Sequence, residues 1–92
     1  MRCVISVLGK DQSGIVAGVS AVLAECHANI DDISQTILDG IFSMTMMVTL
    51  DTDTASFNEV QEKLDAEAKR LGVQIVLQRQ DVFGYKSLRP RR

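Results

Sequence analysis

The sequence predicts an α+β sandwich in the order β-α-β-β-α-β, a four-stranded antiparallel sheet with two helices on one face. Three observations predict it. Two segments repeat their apolar residues at helical spacing, and each lies between runs that read as strands. One strand alternates apolar and polar residues without a break, and an Asp-Gly pair joins it to the strand before. The connections are short, so right-handed βαβ crossovers carry both helices to the same side, the ferredoxin-like arrangement.

Residues 2–8 (RCVISVL) are apolar and β-branched and stop at Gly9, which makes them a largely buried strand. Lys10 to Gly14 (KDQSG) is a polar loop. From Ile15 onward, Ile15, Val16, Val19, Val22, Leu23 and Cys26 follow one face of a helix, with Ser13 as its N-cap. The helix fades over His27 to Asn29. Ile30, Ile33, Ile37 and Leu38 then mark a strand, and the three-residue step from Ile30 to Ile33 calls for a bulge at Asp31-Asp32.

Asp39-Gly40 turns the chain into strand 41–50. Phe42, Met44, Met46, Val48 and Leu50 face one way there, so the methionines read as core and not as soft-metal ligands. Ser43, Thr45, Met47 and Thr49 lie on the other face, which a single copy leaves uncovered and which invites a partner. Ser56 and Glu59 form a capping box for a second helix, whose buried stripe is Phe57, Val60, Leu64, Ala68 and Leu71 and whose stop is Gly72. Residues 73–80 are the fourth strand, with Val73, Ile75 and Leu77 on one side. Beyond Asp81 only Val82, Phe83 and Tyr85 are suited to packing, so the domain is assigned to residues 1–80 and a C-terminal extension to 81–92.

A chain of 92 residues with 46% hydrophobic and 24% charged residues has room for one core, and its composition is that of a folded domain. Its net charge of −2 gives no general attraction to nucleic acid. The basic cluster Lys86, Arg89, Arg91 and Arg92 reads as a solvated tail, with contact to an anionic partner as the alternative. Cys3 and Cys26 sit in apolar patterns as small buried hydrophobes, in keeping with a reduced cytoplasm. No run is long enough to span a bilayer, and the first residues lack a signal-peptide plan, so a cytoplasmic protein without membrane contact is expected.

Catalysis finds little support. His27 is the only histidine, and no nucleophile is placed beside it. Gly9-Lys10 lacks the spacing of a phosphate loop. Acylphosphatases share this architecture but use an arginine in the first loop, where only Lys10 stands. RNA-recognition motifs need stacking aromatics on the central strands, and here the third has only Phe42. No catalytic residue, metal ligand or cofactor is assigned.

Two segments resemble a known family. The stretch GKDQSGIVAGVSAVLAE from Gly9 to Glu25, followed by ANIDDISQ from Ala28 to Gln35, is similar to ACT domains of the glycine-cleavage repressor and of formyltetrahydrofolate deformylase, and to proteins consisting of one ACT domain. The shared positions are Gly9, Asp11, Gly14, Ile15, Val16, Asn29, Ile30, Asp32, Ile33 and Gln35. The resemblance covers about residues 1–80 and implies a regulatory domain. It further implies a homodimer that holds a small effector where one copy's helix-start loop meets its neighbour.

The same residues suit a zwitterion. Backbone amides at Gly14, Ile15 and Val16 open a helix without intrahelical partners, and the helix dipole makes them an anion site. Asp11, Asp32 and the Asn29 carbonyl can receive an ammonium group. The candidate ligand-binding set is Asp11, Gln12, Ser13, Gly14, Ile15, Val16, Asn29, Ile30 and Asp32. Plainer roles stand beside these: Asp11 favouring the helix N-terminus electrostatically or closing an Asx turn, Asn29 in a left-handed position after the helix, Asp31 and Asp32 facing solvent in the bulge, Gln35 as an edge-strand residue. The expected function is a non-catalytic amino-acid sensor that regulates an unidentified protein. The alternative is an interaction module without a ligand.

Overall fold

The computed structural model describes residues 1–83, with the side chains of Val82 and Phe83 excepted. The packing expected of Val82, Phe83 and Tyr85 and the basic cluster from Lys86 fall outside the described part. The elements are β1 (Arg2–Lys10), α1 (Ile15–Glu25), β2 (Asn29–Leu38), β3 (Ile41–Thr49), α2 (Phe57–Leu71) and β4 (Gln74–Arg79), followed by a short 3-10 turn at Gln80–Phe83. The sheet is antiparallel throughout in the order β2-β3-β1-β4, the ferredoxin-like sandwich. No helix among the described residues is long and apolar enough to cross a membrane.

Alternation decides which face is buried. Cys3, Ile5 and Val7 of β1, Phe42, Met44, Met46 and Val48 of β3, and Ile75 and Leu77 of β4 point to the helices and form the core with Val19, Leu23, Val60 and Leu64. The second helix begins at its capping box, with the Glu59 amide donating to Ser56 Oγ at 3.1 Å and the Ser56 amide to Glu59 Oε1 at 2.8 Å. Asp39 and Gly40, at φ 53° and 79°, make the tight hairpin turn whose two left-handed residues match the twist of the strands.

Three local expectations change. Gly9 lies inside β1, opposite Phe42, and does not end the strand. It is small because Val73 sits over it: a Cβ built there would lie 2.6 Å from Val73 Cγ1. Ser13 does not cap α1. The cap is Gly14 at φ 91°, and no side chain bonds the first turn. A left-handed entry is open to glycine at no steric cost, and it starts the helix one residue later than a serine cap would. Finally, His27 at φ 59° takes the left-handed position after α1, with its amide donating to Ala24 O at 3.1 Å and the Ala28 amide to Leu23 O at 2.9 Å. Asn29 is thereby released to begin β2.

The bulge falls where the spacing put it. Ile30 pairs with Val48 and Asp32 with Met47, leaving Asp31 as the extra residue. Strand β2 is the sheet edge, and none of its residues is buried. Ile30, Ile33 and Ile37 lie on the helix side, yet they remain 37%, 40% and 59% exposed, because the helix layer does not reach over this strand.

Candidate functional site

The loop between β1 and α1 is held from two sides. The Asp11 amide donates to Gly40 O at 2.9 Å, tying the loop to the β2–β3 hairpin. Gln12 Nε2 donates to Leu71 O at 2.6 Å, tying it to the end of α2. Between these straps stand Ser13 and Gly14, both exposed. Ile15 is buried and anchors the helix to the core. Val16 is half-buried.

The Gly14 carbonyl accepts the Gly18 amide at 2.9 Å, and the amides of Ile15 and Val16 have no intrahelical acceptor. No acidic residue lies in the first turn to offset the positive end of the dipole. A Cβ at Gly14 would meet nothing within 4 Å, so the space beside Gly14 itself is open. The Asp11 carboxylate accepts no hydrogen bond from the described residues, and the Asx turn weighed for it does not form.

A second group gathers around the bulge. Asp31 accepts from Asn29 Nδ2 and from Thr49 Oγ1, each at 2.6 Å, and pairs with Arg2 Nε at 3.3 Å. Asp32 Oδ1 accepts the Ile33 amide at 2.9 Å. With its amide nitrogen committed to Asp31, Asn29 keeps its carbonyl oxygen for a donor from outside, and Asp32 keeps one carboxylate oxygen. Ile30 pairs with Val48 on the helix side, whereas Asn29 and Asp32 pair with Thr49 and Met47 on the open side. Gln35, opposite Met44, makes no side-chain hydrogen bond with the described residues and is an ordinary polar residue of the edge.

Asp31 is exposed, as expected, and is also the hub of this group. A bulge brings an extra side chain within reach of the facing strand, and Thr49 opposite Asn29 was the sequence signal for it. The Thr49 hydroxyl, then the Asn29 amide and the Arg2 guanidinium, hold its carboxyl below the usual aspartate range. A depressed carboxyl stabilises the fold above the unfolded value and loses that contribution as the pH falls through the folded one. Asp31→Asn should therefore lower the melting temperature at neutral pH. The gap to the wild type should close as pH drops through and below the carboxylate range. A gap of constant size across a pH series of thermal melts would refute this.

The two groups stand at opposite ends of the sheet. Lys10 pairs with Ile41 beside the hairpin, whereas Arg2 and Asn29 both pair with Thr49 at the far end. At about 3.3 Å per residue, β1 separates them by roughly 25 Å. One copy therefore does not bring the helix-start amides against Asn29 and Asp32. No group of His, Cys, Asp or Glu side chains able to hold a metal occurs among the described residues.

An ACT domain family model matches residues 2–78. The UPF0237 protein MJ1558 of Methanocaldococcus jannaschii is 48% identical over 84 residues, which cover 91% of this chain and 93% of the relative. An ACT domain protein from Streptococcus pneumoniae superposes with a TM-score of 0.78 at 44% identity, covering 90% of this chain and 93% of its own. The regulatory subunit of aspartate kinase from Thermus thermophilus, solved in a ligand-free form, gives 0.66 at 28% identity over 84% of this chain and 50% of its own.

Proposed function

Since this chain belongs to the ACT domain family, we propose that it is a non-catalytic regulatory module of the cytoplasm that binds an amino acid or similar zwitterion between two copies. The observation that carries the reading is the placement of two complementary half-sites at the two ends of one unburied edge strand. If β2 pairs antiparallel with β2 of a second copy, the Asn29 end of each strand meets the Leu38 end of the other. The partner's Leu38 end adjoins the partner's Gly40, to which the partner's Asp11 amide is tied. Each pair of copies would thus bring the two groups to the same end of the shared edge twice over. The helix-start amides lie on the helix side for the ligand carboxylate, and Asn29 and Asp32, which the register puts on the open side, reach its ammonium group past the strand end.

The edge suits such pairing. Beyond the bulge, its residues 33–38 (ISQTIL) carry neither proline nor charge to block a neighbouring strand. The three isoleucines left exposed on the helix side would be covered by the partner. Binding across two copies stabilises the pair by mass action, which is a means of regulating a bound protein without chemistry. The aspartate kinase regulatory subunit supports this reading as a protein of the same fold in a regulatory role.

A thermal-shift screen against the twenty amino acids at millimolar concentration tests it, with calorimetry on any hit. At least one should stabilise the protein, by about 2.7 kcal/mol at a hundred times its Kd. Asp11→Ala and Asn29→Ala should each remove the response. A flat screen would leave the chain as an interaction module only.

A further inference from the structure

The face of the sheet turned away from the helices carries no charge across its middle. Its central cross-strand row is Ser34, Thr45, Ser6 and Val76. Leu8, Ile41 and Val76 are each about half exposed on this face. Its charged residues are confined to the ends, Lys10 at one and the Arg2, Asp31 and Asp32 corner at the other. Charged residues make up 24% of the chain, so an open face with none across its middle departs from what water contact favours.

We propose that this face packs against the same face of a second copy, so that two edge-paired dimers stack sheet on sheet into a tetramer of 222 symmetry. The tetramer rests on the edge pairing proposed above, whereas the stacking contact stands on its own observations. A two-fold axis lays the face on itself, which repels where a face is charged and costs nothing where it is not. A foreign partner that binds by charge finds none across the middle of the face.

The dimensions agree. Four strands about 4.8 Å apart, over roughly 20 Å of their length, offer on the order of 400 Å² per copy. Edge pairing about an axis normal to the sheet keeps both open faces on one side, which doubles this to about 800 Å² per dimer, the share each partner gives to a standard stable interface. Small hydroxyl side chains such as Ser6, Ser34 and Thr45 let two sheets approach to about 10 Å, and Leu8, Ile41 and Val76 fill the space between.

Sedimentation equilibrium of the full chain tests the contact. The wild type should sediment at four times the 10.1 kDa chain mass. Thr45→Lys sets an unpaired charge in the central row and should weaken the dimer-to-tetramer step about 100-fold or more, leaving dimers. Val76→Glu in the same row should do the same, which guards against a folding defect in either variant, and circular dichroism checks the fold of both. Ile33→Glu should break only the edge pairing and leave face-to-face dimers. A wild type that stays dimeric at millimolar concentration and dissociates with Ile33→Glu, but not with Thr45→Lys, overturns the stacking and spares the edge reading. A dimer split by Thr45→Lys alone keeps the stacking and removes the edge pairing. A monomeric wild type overturns both.

Discussion

Gly9→Ala is expected to destabilise the protein by about 2–3 kcal/mol, measured as a lowered denaturation midpoint at fixed protein concentration. The new methyl would stand 2.6 Å from Val73 Cγ1, 2.9 Å from its Cβ and 3.2 Å from its Cα. No side-chain rotation moves the Val73 Cβ or Cα, so the last two contacts stay in every rotamer. The backbone there has little room to retreat, since the Val73 amide is bonded to Ala68 O at 3.0 Å directly after the left-handed Gly72. Val73→Ala combined with Gly9→Ala should cost less than the two single changes added, by about 1 kcal/mol, because it removes the worst contact. An additive double variant, or a Gly9→Ala protein within about 0.5 kcal/mol of wild type, would show that the strand and helix end can part freely. Gly9 also leads directly into Lys10 and Asp11, so a displaced β1 end should weaken the ligand response along with the fold.

Mixing two inactive variants should restore binding, the second large effect. Asp11→Ala spoils the helix-start half-site and Asn29→Ala the bulge half-site. In a mixed dimer one site carries both defects and the other carries neither. Random reassociation of equal amounts makes half of the dimers mixed, so about a quarter of the wild-type sites should titrate in calorimetry. A site contained within one copy predicts no recovery at all. The experiment therefore separates a shared site from a local one without knowledge of the oligomer geometry. It uses whichever amino acid the thermal-shift screen identifies.

Some elements were legible in the sequence because a few neighbouring residues decide them. The Asp39-Gly40 pair prefers the two left-handed conformations of the tight turn, and Ser56 with Glu59 closes a reciprocal pair of hydrogen bonds across one helical turn. The step from Ile30 to Ile33 betrays the bulge, since a strand must insert a residue to keep both on the helix side. Errors arose where a residue answers to something distant in the chain. Gly9 is read as a stop until Val73 is seen above it. Ser13 is the natural cap by residue type, but Gly14 reaches the left-handed entry instead. Asp31 has no visible role until Thr49 and Arg2 are drawn beside it from other strands.

The amino-acid order alone determined the two helices, the four strands, the hairpin, the bulge and which residues are proposed to hold a small charged molecule. Tertiary structure alone decided that those residues fall into two groups at opposite ends of the sheet, with an unburied edge strand between them. The physical reason is range. Turns, caps and alternation arise from forces across a few residues, whereas the separation of Gly14 from Asn29 depends on which strands become neighbours and how many residues of paired strand lie between.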